Sequence, residues 1–347
     1  MEVIFLVNMN THEIEEMLND YFAKKKDDFF VNNYGWLYKI ACEYLKIMPN
    51  KCSQDYMNYL DSIMPSYSDL EIFEFVKEYF KKYDIKLNLD HMISNKTIVL
   101  KNNNENTDNL TNNRSRLNLQ GSCNYKLVSV NSNVSYTDAI VLVHELSHFR
   151  TRLNANGKIN YNTQKWYSET MAIAEEFIML DSSLNVEKQY ISLYRLNLIN
   201  AHFKRIIIYL KIALVCKKFG NITKENYLKV WDEDNYEFDM INFALLYNNI
   251  VKDNNSDLFF NKIERYIKYS LAFINALHIM YKVRQNSEYT EKIKKMQKLV
   301  STCSVQNFFG YFGLLDCLNN EKEFCEPVRK MIEEILIYSK VRNKNRM

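Results

Sequence analysis

Two histidines with a glutamate between them carry the clearest chemistry in this chain of 347 residues. The segment His144-Glu145-Leu146-Ser147-His148 has the H-E-x-x-H pattern. Positions four residues apart share one face of an α-helix, so both imidazoles can bind one metal ion. Glu145, the next residue round the helix, then reaches the remaining coordination position, where a water molecule sits in zinc sites of this kind. Because the chain has only six histidines, the spacing favours a zinc site over chance.

A third ligand and a supporting carboxylate are available further along the chain. The segment Trp166–Leu180 repeats apolar residues at helical spacing and is predicted to form a helix. Glu169 and Glu176 lie two turns apart on one face of it. One carboxylate can bind the metal, and the other can accept a hydrogen bond from the free N–H of a ligating histidine. The neighbouring Glu175 is predicted to be a solvated charge on an exposed face.

These two segments together resemble a known family of zinc peptidases, the thimet oligopeptidase and oligoendopeptidase F family. Its pattern is H-E-x-G-H, a loop, and then E-x-x-S-x-x-x-E on a second helix. The resemblance implies that His144, His148 and Glu169 bind one zinc ion per chain. It also implies that Glu145 is the general base and that Glu176 supports a ligand. The fold it implies is mainly α, with a zincin-like catalytic core, a small β-sheet beside the active-site helix, and helices that line a peptide-binding cleft.

The chain departs from the family pattern at positions that are not ligands. Ser147 stands where the family has glycine, and Ala172 where it has serine. A later helix of the family begins with histidine and phenylalanine, and here Leu258 replaces that histidine. The tyrosines of that helix hold the carbonyl oxygen as it gains charge, which implies this role for Tyr266 or Tyr269.

The rest of the sequence indicates a helical protein with one small sheet. Only three prolines and six glycines favour long helices over a chain full of turns. Two strand-like segments, Thr97–Leu100 and Tyr125–Val130, place the sheet between Ile85 and Val134. Residues 1–98 are predicted to be an N-terminal helical region, and residues 99–340 a catalytic domain that forms one compact unit.

Composition restricts the partners that the sequence predicts. A net charge of +3 is too small and scattered for a nucleic-acid surface. No segment is predicted to span a membrane or to act as a signal peptide, and seven cysteines without a C-x-x-C pair suggest reduced thiols. We therefore expect a cytoplasmic protein that binds a peptide substrate, with no nucleic-acid or membrane partner. The oligomeric state stays open.

Three functional hypotheses follow. The first is a zinc endopeptidase that hydrolyses oligopeptides, with Glu145 as the general base. The second is a regulatory metallopeptidase that cleaves one dedicated protein, as in the enzymes that cleave phage-type repressors; those usually carry a helix-turn-helix, which this sequence does not show. The third is an inactive peptide-binding homologue, which Leu258 favours and the intact Glu145 argues against. Other H-E-x-x-H enzymes need an N-E-x ligand motif or a third histidine, and the sequence has neither at the expected place.

Overall fold

A computed structural model describes most of the chain and shows a mainly helical protein with a small sheet, as the sequence predicted. The described residues are 11–24, 29–47, 54–102, 121–124, 126–132, 134–154, 161–181, 183–231, 236–250, 256–286, 288–299, 303–313 and 321–340. Its helices in these ranges are α1 (Thr11–Lys24), α2 (Phe29–Ile47), α3 (Gln54–Ser62), α4 (Asp69–Lys82), α5 (Leu89–Ser94), α6 (Tyr136–Asn154), α7 (Tyr161–Leu180), α8 (Asn185–Phe219), α9 (Lys224–Leu228), α10 (Tyr236–Ile250), α11 (Ser256–Gln285), α12 (Glu288–Leu299), α13 (Val305–Tyr311) and α14 (Glu321–Lys340).

The sheet has three strands and lies in the predicted region. They are β1 (Ile98–Asn102), β2 (Gly121–Cys123) and β3 (Val128–Ser132), and β3 is central. Strand β1 pairs with β3 in parallel and β2 pairs with it antiparallel. The sequence analysis placed strands close to β1 and β3, whereas it did not identify β2 as a strand. Helix α6 packs on β2 and β3, so the sheet supports the helix that carries both histidines.

Two helix ends follow the local signals that the sequence contains. At the start of α4, the Ser68 side chain accepts a hydrogen bond from the Glu71 N–H, and the Glu71 carboxylate accepts one from the Ser68 N–H. This reciprocal pair is a capping box. Helix α8 ends before Gly220, whose φ of +82° is the left-handed conformation that glycine adopts at little cost.

Most of the described side chains of helices α6 and α7 are buried. Every residue from Thr170 to Leu180 is buried, and only His144 and His148 are partly exposed between Tyr136 and Thr151. The two helices make extensive contact with each other. These two helices therefore form the interior of the part of the structure around them.

The backbone contacts divide the chain into two units. One comprises the described residues of Met1–Pro49 with Leu198–Ser270, and the other those of Asn50–Asn197 with Leu271–Met347. These units are not the two sequence ranges proposed above, and a catalytic domain over 99–340 stays a prediction. Among the described helices, none combines the length and apolar composition that crossing a bilayer requires.

Candidate metal centre

Three side chains point their donor atoms at a common centre. The Nε2 atoms of His144 and His148 lie 3.0 Å apart, and each lies 3.4 Å from a carboxylate oxygen of Glu169. Ligands about 2.0–2.1 Å from a tetrahedral zinc ion lie about 3.3–3.4 Å from one another. The two distances to Glu169 involve different oxygens of its carboxylate, so the three separations match the general spacing of ligand atoms around one ion, without defining a tetrahedral face. These residues could therefore hold a metal ion.

The antiparallel pairing of α6 and α7 creates this cluster. His144 lies beside Glu176 and His148 beside Ser168, so the two helices run in opposite directions. The histidines are one turn apart on α6, and Glu169 on α7 faces both of them. The predicted ligands His144, His148 and Glu169 thus come together from two helices that the sequence places consecutively.

The outer nitrogen of each histidine lies against a second residue, as an ion-pair contact at His144 and as a hydrogen bond at His148. The Nδ1 atom of His144 lies 2.5 Å from the Glu176 carboxylate, and that of His148 lies 2.7 Å from the Ser168 hydroxyl. Arg195 in turn donates two hydrogen bonds to Glu176. With the proton on each Nδ1, both Nε2 lone pairs face the Glu169 carboxylate. These lone pairs and the carboxylate oxygens are all hydrogen-bond acceptors, so they repel one another. A bound cation would remove that repulsion.

The pKa values of the residues in this cluster reflect the excess of hydrogen-bond acceptors. Burial by itself lowers the pKa of His144, but the carboxylates of Glu176 and Glu169 outweigh it and raise this pKa to about 10. Burial raises the pKa of Glu169, whereas the two histidines lower it well below its usual range. Burial likewise opposes ionisation of Glu176, but Arg195 and His144 keep its pKa low. The site therefore keeps its carboxylates ionised and favours positive charge at its centre.

Glu145 lies one residue from the first histidine and differs from the other buried glutamates of this region. Only 8% of its surface is exposed, yet its carboxylate forms no hydrogen bond or ion pair with the described residues. Strand β2 passes directly over it. A Cβ atom added at Gly121 would lie 2.5 Å from the Glu145 Cγ and 2.8 Å from its Oε1. Glycine at this position thus lets the edge strand approach the carboxylate closely.

Glu175 corrects one expectation from the sequence, because it is buried and not solvated. It accepts hydrogen bonds from Ser147 at 3.1 Å, from Arg150 and from Gln297. Gln297 on α12 also donates to the Ser147 hydroxyl at 2.9 Å. Burial raises the pKa of Glu175, although Arg150 and its other donors oppose the change. The prediction failed because every residue of α7 from Thr170 to Leu180 is buried, so this part of the helix has no solvent-facing side.

The two candidate tyrosines belong to the unit that contains Leu198–Ser270, whereas the metal cluster belongs to the other. The ring of Tyr266 lies 4.7 Å from that of His202, and Arg205 donates a hydrogen bond to its hydroxyl at 3.3 Å. The guanidinium of Arg265 lies 5.3 Å from the Tyr269 ring centroid. Neither contact establishes an oxyanion role, which stays a prediction. Leu258, at the position of the family histidine, is 57% exposed.

Sequence analysis did not identify four residues that contact His148 or the glutamates around it: Gly121, Ser168, Arg195 and Gln297. For Ser168 a signal existed, because it lies on the same face of α7 as Ala172 and Glu176. Gly121 lies in a strand of only three residues, which is too short to show an alternating pattern. The other two come from α8 and α12, and no spacing rule connects them with the histidines.

Comparison of the chain with protein-family models, with curated proteins and with solved structures finds no match in any of the three. The functional argument therefore depends on the site itself.

Proposed function

We propose that this protein is a zinc-dependent endopeptidase that hydrolyses peptide bonds in oligopeptides. The observation that carries the proposal is the donor cluster of His144, His148 and Glu169, whose donor atoms lie close enough together to bind one zinc ion. The carboxylate of Glu145, the next residue after His144 on α6, has no partner among the described residues. A zinc-binding site with three protein ligands and an open position is the form that catalytic zinc takes, whereas structural zinc has four protein ligands. In the described residues the cluster has three.

A bound zinc ion supplies Lewis acidity, which polarises a carbonyl group and lowers the pKa of water towards neutrality. The chain itself supplies the base. Glu145 accepts a proton from the attacking water and then delivers it to the nitrogen of the leaving amine. Its carboxylate is suited to this exchange because no described arginine or lysine neutralises it. Glu169 and Glu176 cannot take the same role, because each is already engaged by a histidine.

The substrate position in this proposal follows from strand β2. Within the described residues β2 pairs with β3 alone, so an extended peptide can add to its other edge. Gly121 on this strand lies against Glu145, so a peptide added to β2 would run close to the carboxylate that we propose as the base. The zincin-like core and the peptide-binding cleft are thus part of the proposal, and the oxyanion role of Tyr266 or Tyr269 belongs to it as an expectation from the resemblance.

A second candidate function is an inactive peptide-binding protein. The observation in its favour is Leu258, a side chain that cannot donate a hydrogen bond, where the resembled family has histidine. Both functions use a peptide and a bound metal. They differ in whether the peptide is cut.

Peptide cleavage by matched variants separates the two. Zinc-loaded wild type and Glu145→Gln are incubated with a mixed library of short peptides, and products are identified by mass spectrometry. Glutamine keeps the shape of the side chain and removes the base, so we expect cutting by the wild type and a loss of at least about a hundredfold in the variant. Intact peptides in both samples, with peptide binding retained, would support the binding protein. Equal cutting by both would exclude Glu145 as the base.

A further inference from the structure

Arg152 continues the row of histidines along α6. The residues His144, His148 and Arg152 are spaced four apart on this helix, so their side chains share one face. Arg152 lies about 6 Å further along the helix axis than His148. It is partly exposed, as both histidines are. The face of α6 that carries the candidate ligands therefore ends in a positively charged side chain that solvent can reach.

The guanidinium of Arg152 lies at the edge of β2 that no described strand covers. Its Nη1 donates a hydrogen bond to the Cys123 carbonyl. Val128, which pairs with Cys123, donates its N–H to the Thr97 carbonyl at 2.8 Å, on the β1 side and away from β2. The pair is thus a non-hydrogen-bonded one, in which the N–H and C=O of Cys123 point away from β3. Arg152 therefore stands where the backbone of an added peptide would run.

The charge of Arg152 is not neutralised by the described part of the chain. Arg150 on the same helix pairs with Glu175. Arg195 pairs with Glu176. Arg152 forms no ion pair with any described residue. A guanidinium has five N–H donors, and the bond to the strand carbonyl uses one of them. The remaining donors and the positive charge suit a carboxylate, which an arginine binds through two parallel hydrogen bonds.

Strand β2 sets the distance between this cation and the proposed base. Gly121 lies against Glu145, and Cys123 bonds to Arg152. These two strand residues are two positions apart, about 7 Å in an extended chain. Burial raises the pKa of the Cys123 thiol to about 12, while Arg152 lowers it and Glu145 raises it further, so the thiol lies near both charges. A peptide paired with β2 passes from the base to the guanidinium in about two residues.

We propose that Arg152 binds a carboxylate of the substrate peptide, about two residues from the bond that is cut, and thereby selects peptides with a negative charge at that position. The inference rests on the proposed function for its peptide site and names the substrate class of that site. Because Arg152 occupies the Cys123 carbonyl, pairing of the peptide with β2 ends there, and the next substrate group meets the guanidinium. A free C-terminus and an acidic side chain both supply this carboxylate.

Two matched pairs of peptides distinguish these two sources. The first pair differs only in a free C-terminal carboxylate or a C-terminal amide. The second pair is amidated and differs only in glutamate or glutamine two residues from the bond that is cut, which mass spectrometry of the products locates. We expect kcat/KM of the zinc-loaded wild type to be at least about tenfold higher for the charged member of one pair. Equal values within both pairs would overturn the inference and leave the peptidase in place.

Variants locate the preference at Arg152. Arg152→Gln keeps a donor for the Cys123 carbonyl and removes the charge, so the preference should disappear while the uncharged peptides are cut as before. Arg152→Lys should restore part of it, since an ammonium keeps the charge without the paired donors. The matched control is Lys101→Gln, which removes an exposed positive charge from β1, the opposite edge strand of the sheet, and should leave the preference intact. An equal slowing of all peptides in Arg152→Gln would mean a structural role and contradict the inference.

A binding measurement separates this inference from the peptidase itself. The same peptides, labelled with a fluorophore, are titrated with zinc-loaded Glu145→Gln, and anisotropy gives the dissociation constants. We expect the charged peptide to bind at least about tenfold more tightly, and the difference to vanish when Arg152→Gln is added to this variant. If the wild type cuts no peptide but this preference is present, the peptidase fails and the carboxylate site stands. Binding without a preference, or no binding of any peptide, would overturn the inference.

Discussion

At the scale of single residues, the orientation of each imidazole is fixed by what its outer nitrogen touches. His144 lies against a carboxylate and His148 against a hydroxyl, so the two candidate ligands are not equivalent. A carboxylate that accepts the ligand's N–H makes the opposite nitrogen more basic, and a hydroxyl does so less strongly. Glu176 is itself held by Arg195, which fixes the carboxylate in turn.

This asymmetry predicts unequal effects on metal affinity. Glu176→Gln should weaken zinc binding by about 10- to 100-fold, since it removes the charge that supports His144. Ser168→Ala removes a neutral hydrogen bond to His148 and should have a smaller effect. Competition with a chromophoric chelator measures both dissociation constants. An unchanged zinc affinity in Glu176→Gln would show that this carboxylate does not support the ligand.

Val134, two residues before α6, has a strained backbone. Its φ is +57°, which a β-branched residue adopts only with strain. The backbone is held there because its carbonyl accepts the Tyr67 N–H at 2.8 Å. Val134→Gly should raise the free energy of unfolding by about 1 kcal/mol, since relief of strain exceeds the entropy that glycine gains in the unfolded chain.

The control for this prediction is Val134→Ala, which retains a Cβ atom and should gain less than the glycine variant. The side chain is 45% exposed, so either change removes little buried surface. Urea denaturation of the three proteins gives the comparison. A glycine variant less stable than the wild type would show that the positive φ stores no strain.

At the scale of elements, a polar cluster fastens α6 to α7 and α12. Ser147 and Arg150 on α6 and Gln297 on α12 all donate to Glu175 on α7. The serine of H-E-L-S-H therefore has structural partners in Glu175 and Gln297, at the position where the resembled family has glycine. Because Glu169 lies on the same helix as Glu175, this cluster also fixes where the third ligand meets the two histidines.

Removing the charge at the centre of this cluster should be costly. Glu175→Gln leaves the buried guanidinium of Arg150 without its counter-ion and should lower the free energy of unfolding by about 3 kcal/mol. Ser147→Ala removes one hydrogen bond and leaves the ion pair, so about 1 kcal/mol is expected. Chemical denaturation of the wild type and both variants measures the two losses in the free energy of unfolding. Similar losses in the two would mean that the ion pair contributes nothing beyond a hydrogen bond.

The same helices show what the sequence could predict and what it could not. The shared helix face of the two histidines in H-E-x-x-H, and that of Glu169 and Glu176, follow from 3.6 residues per turn. Both could therefore be predicted from the sequence. The burial of Glu175 could not, since a helix enclosed on all sides has no periodic polar face to interpret. Strand β2 was missed because it has only three residues. Two of them, Gly121 and Ser122, are among the smallest residues, so the strand shows no alternating pattern. Its place is fixed by pairing with β3 and by contact with Glu145, which are distant in sequence.

At the scale of the whole molecule, all residues of the metal cluster belong to one unit. His144, His148 and Glu169, with Glu145 and the supporting Glu176, lie within Asn50–Asn197. The predicted tyrosines lie in the other unit, which is why the sequence resemblance alone supports them. The central claim therefore concerns the zinc ion, since the proposed base, substrate edge and reaction all depend on it.

Metal analysis of the purified protein tests this claim most directly. Wild type, Glu145→Gln and His148→Ala are dialysed against the same trace of zinc, and bound metals are measured by inductively coupled plasma mass spectrometry. We predict one zinc ion per chain in the wild type and in Glu145→Gln, because Glu145 is not a ligand, and a large loss in His148→Ala. A wild type without bound zinc, or a His148→Ala variant that retains one zinc ion per chain, would contradict the account.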